Sequence, residues 1–276
     1  MLRIWEKAGG LVVCAPEPWS PSEFPDVVVF SSGRVSDSQA DRVAHAVGRV
    51  LAHRGITGGA RVRLTTANRA GRPMLVQVNL WVRDTPVRVQ TVTADRDDLP
   101  SALLRLDRQI VRVRARCRPR PWSDRTRRVL TAPAEAVIIR RKSVRLLLGT
   151  PLEAVAVMDA MDYDVHLFTD AETGEDAVVY RAGPSGLRLA RQRRVYPPGW
   201  SWSPRTASPP VPLIVNSRPT PTLTEAAAVS RLCEHGLRFL FFTDPATGRG
   251  HLLYPRYDGN LGLVTPIGQS SQDGAL

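Results

Sequence analysis

The sequence predicts an α+β protein: an N-terminal β-α-β-β-β-α domain, with two helices on one face of a mostly antiparallel sheet, followed by two small α+β domains in tandem. Three observations lead there. Apolar residues recur with strand, helix, strand, strand, strand and helix spacing, in that order, across residues 26–118. A stretch of the C-terminal half then repeats itself without gaps, Thr150–Leu189 on Thr224–Leu263. Segments rich in proline, arginine and serine separate the parts. The expected layout is a flexible leader at 1–25, a domain at 26–118, a linker at 119–133, a domain at 134–192, a linker at 193–212, a domain at 213–267 and a tail at 268–276.

In the first domain, Asp26–Phe30 is a short apolar run that reads as a buried strand. Ser36 followed by Gln39 is a capping-box pattern that opens a helix. Val43, Val47, Val50 and Leu51 form its core side, while Arg42, His45, Arg49 and His53 lie elsewhere on its surface. The helix stops at Gly55, and Gly58 and Gly59 make the next turn. Arg61–Thr66 alternates with Val62 and Leu64 inward, and Met74–Val82 alternates with Met74, Val76, Val78, Leu80 and Val82 on one face. Asp84-Thr85 is the expected tight connection to a last strand at Val87–Thr93.

The closing helix, expected from about Leu99 to Arg116, carries two stripes. Leu99, Leu103, Leu106, Ile110 and Val113 recur at three- and four-residue steps and form a core face. Arg105, Arg108, Arg112 and Arg116 recur in the same way on another side, and Arg118 and Arg120 follow as the chain leaves the helix. A row of guanidiniums on a packed helix suits a phosphate backbone. Residues 101–145 hold 14 basic residues and three acidic ones, so salt-bridged solvent-facing pairs do not account for the stripe.

Composition agrees. The formal net charge of +12 over 276 residues points to a polyanionic partner, nucleic acid ahead of membrane. Hydrophobic content of 43% supports real cores and excludes a disordered chain. No apolar run approaches the ~20 residues that span a bilayer. Cys14, Cys117 and Cys233 are widely separated, which disfavours a zinc site or disulfide framework and suits a reducing cytoplasm.

In the repeat, Phe168-Thr169-Asp170 aligns with Phe242-Thr243-Asp244, Gly174 with Gly248, Tyr180 with Tyr254 and Leu187 with Leu261. Each copy reads as a threonine-capped helix (Thr150 or Thr224), a strand at Val165–Phe168 or Phe239–Phe242, an Asp-to-Gly turn and two further strands. The segment Ala136–Leu147 is expected to add a strand to the first copy. Such a small module buries little surface alone, and Phe239-Leu240-Phe241-Phe242 is apolar on both strand faces. We therefore expect Val165, Leu167, Phe168, Phe239, Phe241 and Phe242 to pair the two copies within one chain.

Arg140-Arg141-Lys142-Ser143, Phe168-Thr169-Asp170-Ala171-Glu172-Thr173-Gly174 and Val178-Val179-Tyr180 closely resemble the C-terminal domain of long ribosome hibernation-promoting factors, once described as sigma-54 modulation proteins. The β-α-β-β-β-α order of residues 26–118, with basic positions on both helices, resembles the N-terminal domain of the same family, the ribosome-associated inhibitors. The tandem tail is most similar to that of the actinobacterial dormancy-associated translation inhibitors. This resemblance implies a non-enzymatic binder of the small ribosomal subunit, seated in the mRNA and tRNA decoding channel, that inhibits translation and protects idle ribosomes. It also implies contact with ribosomal RNA by Arg42 and Arg49 on the first helix and by Arg105, Arg108, Arg112 and Arg116 on the second. In the usual long factor a single C-terminal domain pairs with its twin on another ribosome. A second copy in the same chain would occupy that surface and leave ribosomes single.

No cofactor, metal or active site is expected. The five histidines show no metal-ligand spacing, and His166 near Asp162 and Asp164 reads as structural. Gly183-Pro184-Ser185-Gly186 is a turn without the lysine of a phosphate loop. Two other readings stay open: a protein-binding sigma-factor modulator working through the tandem tail, and a general double-stranded RNA binder.

Overall fold

The structure, a computed structural model, describes residues 23–24, 26–33, 35–66, 74–93, 99–123, 129–193 and 213–267. The expected linker at 193–212, apart from Arg193, the tail at 268–276 and most of the leader lie outside the described residues. Two compact units result, one within Val12–Arg128 together with Ala156–Asp164, the other within Val129–Val155 and Val165–Leu276.

The first unit contains β1 (Val27–Ser32), α1 (Asp37–His53), β2 (Ala60–Thr66), β3 (Met74–Val82), β4 (Thr85–Val92) and α2 (Leu99–Arg114). The sheet order is β1-β2-β3-β4, parallel between β1 and β2 and antiparallel elsewhere. Strand alternation sends Val62, Leu64, Val76, Val78, Leu80, Val87 and Val89 into one core with Val43, Val47 and Leu51 of α1 and Leu106 and Ile110 of α2. The capping box forms as the sequence predicts: the Ser36 hydroxyl accepts from the Gln39 amide, and the Gln39 side chain accepts from the Ser36 amide. Gly48 sits in mid-helix because the Phe24 ring lies against it where a Cβ would clash. The β3–β4 connection differs from expectation. Val82 pairs with Thr85, so the two-residue turn is Arg83-Asp84, with Arg83 at φ 54°, and β4 begins two residues sooner.

The second unit holds β5 (Ile138–Val144), β6 (Leu148–Gly149), α3 (Pro151–Ala160, whose second half belongs to the first unit), β7 (Val165–Asp170), β8 (Asp176–Arg181) and β9 (Leu187–Arg191). The second copy follows with β10 (Leu213–Val215), α4 (Glu225–Glu234), β11 (Leu240–Thr243), β12 (Gly250–Pro255) and β13 (Leu261–Pro266). Its two sheets run β10-β9-β8-β7-β6 and β11-β12-β13-β5. Each sheet thus takes one strand from the other copy. The segment expected to complete the first copy, β5, instead pairs in parallel with β13 of the second, Leu263 opposite Arg141. Reciprocally, β10 pairs in parallel with β9 of the first copy, Val215 opposite Leu189. The cause is local. β13 and β9 are each last in a three-strand meander, and their outer edges need a partner for their N–H and C=O groups.

The exchange is reinforced by side chains. Leu167, Val178 and Ala190 of one copy form a cluster with Phe241 and Leu252 of the other, and Val165, Tyr180 and Phe239 pack against it. Asp176 accepts from the Arg249 guanidinium at 2.7 and 3.1 Å and from the Gly250 amide at 2.8 Å. Equivalent positions act alike: Asn216, just after β10, accepts from the Tyr180 hydroxyl at 3.2 Å, and the Lys142 ammonium on β5 lies 5.5 Å from the Tyr254 ring centre.

Removing the second copy, with β10 and β13, should leave β5 without a partner and expose the β9 edge. A fragment of residues 129–193 is therefore expected to form dimers that exchange β5, whereas the full chain stays monomeric. Sedimentation equilibrium at micromolar concentration separates the two.

A pH dependence is also expected. Burial lowers the His166 imidazole from 6.5 to about 4. The unfolded chain takes up a proton below pH 6.5 while the native ring stays neutral, so this contribution is complete above pH 6.5 and lost as pH falls toward 4. Its size is on the order of 2–3 kcal/mol, allowing for the ring's partial exposure. Urea unfolding of the wild type at pH 7 and pH 4.5 should show a larger difference than the same pair measured on His166→Gln.

Candidate nucleic-acid interface

Both helices of the first unit cover one side of its sheet, and the core stripes found in the sequence decide which arginines face outward. On α1, Arg42 and Arg49 are exposed and flank an open depression of about 460 Å³ that is also lined by His45, Leu99 and Leu103. The His45 imidazole lies 3.2 Å from Asp41 and 3.6 Å from Glu23. On α2, Arg108 is exposed, and Arg116 and Arg118 are exposed just beyond the helix, with Arg116 in the left-handed region at φ 48°. Arg120 is partly buried, its backbone amide 3.5 Å from the Asp159 carboxylate. The helices are tied at their edge by Arg54, whose guanidinium donates to Asp107 at 2.5 and 2.7 Å and holds that carboxyl below the usual carboxylate range.

The remaining two positions of the stripe differ from the expected solvent-facing geometry. Arg105 is only 4% exposed and donates to Asp162 at 2.6 Å, with Asp162 itself 8% exposed. Arg112 donates to Asp159 at 3.1 Å and to the Arg118 carbonyl at 2.8 Å. Between them Gln109 is buried and donates to the carbonyls of Asp159 and Ala160 at 2.5 and 3.2 Å. Those carbonyls end α3, at the negative end of the helix dipole, and the Asp159 carbonyl also accepts from the Asp162 amide at 3.2 Å. Tyr163 accepts from Arg88 of β4 at 2.7 Å, and the Ser123 hydroxyl donates to Asp164 at 2.6 Å. The arginine stripe is therefore split. Arg42, Arg49, Arg108, Arg116 and Arg118 face solvent, and Arg105 and Arg112 face carboxylates of Ala156–Asp164.

The roles of Gln109, Asp159 and Asp162 were not visible in helical periodicity, because they depend on a segment some fifty residues away. The one available signal was the acidic cluster Asp159, Asp162 and Asp164 in an otherwise basic chain. Among the described residues no group of three or more His, Cys, Asp or Glu side chains is placed to hold a metal ion. No described helix is long and apolar enough to cross a membrane.

The residues expected to pair the copies fall on two strand faces. Leu167 and Phe241 lie in the cluster shared by the copies, with Val165 and Phe239 beside it. Phe168 and Phe242 are fully buried on the opposite faces, Phe242 in a core with Leu232, Leu253 and Leu263 and with Ala132 and Ala136, which lie just before β5.

Truncating Arg105 takes a guanidinium away from the buried Asp162 carboxylate, and breaking such a buried pair costs about 3–5 kcal/mol. Arg105→Ala is thus expected to speed amide exchange across Ala156–Asp164 strongly. Arg108→Ala, at an exposed position, should change it within about 0.5 kcal/mol.

Comparison with known proteins extends this picture. The family described as "Sigma 54 modulation/S30EA ribosomal protein C terminus" matches residues 133–189. That span begins before β5, the strand that crosses to the other sheet. The chain is 71% identical over 268 residues to a dormancy associated translation inhibitor of Mycobacterium tuberculosis, found alike in two strains, covering 97% of this chain and 98% of the relative. A basic two-helix surface, a self-paired S30EA-type tail and near full-length identity place the chain in the family of dormancy-associated translation inhibitors, within the ribosome hibernation factors.

Proposed function

We propose that this protein inhibits translation without enzymatic chemistry, by binding the small ribosomal subunit in the mRNA and tRNA decoding channel and protecting idle ribosomes during dormancy or stress. The observation that carries this reading is the exposed arginine set on one side of the first unit: Arg42, Arg49, Arg108, Arg116 and Arg118. Planar guanidiniums held on two packed helices give many phosphate contacts without base readout, as an RNA-lined channel requires. Arg120 lies at the edge of this set, and Arg105 and Arg112 join it once their carboxylate partners are displaced. The partner is ribosomal RNA, and the compartment is the cytoplasm.

The tail supports action on single ribosomes. Strand exchange within one chain already satisfies the edges of β9 and β13. No twin on a second ribosome is needed to complete either sheet.

Sucrose-gradient sedimentation of purified ribosomes with the protein tests both parts. The expected result is protein comigrating with single ribosomes and no heavier peak. A heavier peak would discard the single-ribosome reading, and protein left at the top at low salt would remove the ribosome altogether. Because binding releases counterions, affinity should fall by about 10³–10⁵ between 50 and 200 mM salt if six to ten phosphates are neutralised. Replacing Arg42 and Arg49 by glutamine should reduce the slope of that dependence by about one per lost phosphate contact.

A further inference from the structure

The two copies of the repeat share a backbone plan but differ sharply at the end of the first helix. Aligned without gaps, Asp159 stands opposite Cys233, Asp162 opposite Gly236, Tyr163 opposite Leu237 and Asp164 opposite Arg238. The core position is kept, with Met158 opposite Leu232, both fully buried. Each of these four differences adds an acidic or hydroxyl group to the first copy, and each of those groups contacts the N-terminal part of the chain: Asp159 meets Arg112, Asp162 meets Arg105, Tyr163 meets Arg88 and Asp164 meets Ser123.

Asp162 is the most informative of these. It follows α3 in the left-handed conformation at φ 52°, and Gly236 follows α4 at φ 56°. Glycine is the residue that occupies this helix-ending position at no steric cost. The first copy therefore holds a non-glycine residue in a less favoured backbone region, and its carboxylate reaches a guanidinium that is almost wholly buried.

We infer that Ala156–Asp164 is an internal stand-in for RNA. The carboxylates of Asp159 and Asp162, with the carbonyl end of α3, occupy on α2 the places that phosphate oxygens of the RNA partner take, and the segment leaves α2 when RNA binds. This rests on the proposed function, since it assigns Arg105 and Arg112 to the same RNA surface. The chemistry matches at each point. A carboxylate and a phosphate both accept paired N–H donors from arginine, and Gln109 donates equally to a carbonyl or to a phosphodiester oxygen. Free protein is then closed on α2, with Arg42, Arg49, Arg108, Arg116 and Arg118 left outside to make the first contact with RNA. Non-specific capture of other polyanions by the full stripe is reduced for the same reason.

The test uses the full-length protein and purified small ribosomal subunits. Amide exchange over Ala156–Asp164 is measured with and without subunits, and association rates are measured for wild type and for the Asp159→Asn/Asp162→Gly double variant. Asp162→Gly installs the residue of the second copy and relaxes the backbone, so the variant removes charge without adding strain. The expected result is faster exchange of the segment on subunit binding, together with association of the double variant at least about fivefold faster, the low end of typical coupling between sites. Wild type that binds while the segment stays equally or better protected, with the double variant binding no faster, would overturn the inference and leave the proposed function standing. Failure of both proteins to bind subunits at low salt would overturn the proposed function and this inference together.

Discussion

An unpaired strand edge is the constraint on which the C-terminal half depends. Each copy of the repeat makes a three-strand meander whose last member, β9 or β13, needs hydrogen-bond partners on its outer side. The opening strand of each copy, β5 or β10, goes to the other copy, so neither copy completes its sheet without its neighbour. Shared apolar burial follows from this arrangement, since Leu167 and Val178 meet Phe241 and Leu252 across it. The fully buried Leu261 and Leu263 lie on the strand that β5 covers. Each such side chain contributes roughly 1.5–3 kcal/mol on burial, and a module this small has few of them to spare.

Pairing within one chain also changes what the tail can do. Effective concentration between covalently joined copies is far above that between separate molecules, so intramolecular exchange outcompetes exchange between chains. Asp176 then meets Arg249 and Gly250 at the centre of the paired copies, a close approach that a side chain at Gly250 would block. A tail closed in this way offers no vacant edge at β9 or β13.

In the N-terminal half, charge rather than edge pairing sets the character of the surface. Two packed helices hold their arginines by burying the residues between them: Leu106 and Ile110 fix α2, and Val43 and Val47 fix α1. Guanidiniums on such rigid supports lose less freedom on binding a polyanion than those on a loop. Arg105 and Arg112 are the exceptions, and Arg105 most fully shows a second use of the same side chain. Burial against Asp162 makes it part of the packing of its unit, and the same ion pair withholds it from solvent.

The sequence by itself determined the element order of the N-terminal domain, the capping box at Ser36 and Gln39, the core stripes of both its helices and the gapless repeat. Each of these follows from local periodicity or from short-range hydrogen bonds, which neighbouring residues alone specify. It also determined which helices carry the arginines. Tertiary structure decided which arginines face outward, because the burial of Arg105 comes from Asp162, a residue distant in sequence. It decided as well that β5 joins the second copy and β10 the first. An edge strand's pattern of side chains specifies that it must be paired but not with which of two similar meanders, and only the folded chain makes that choice.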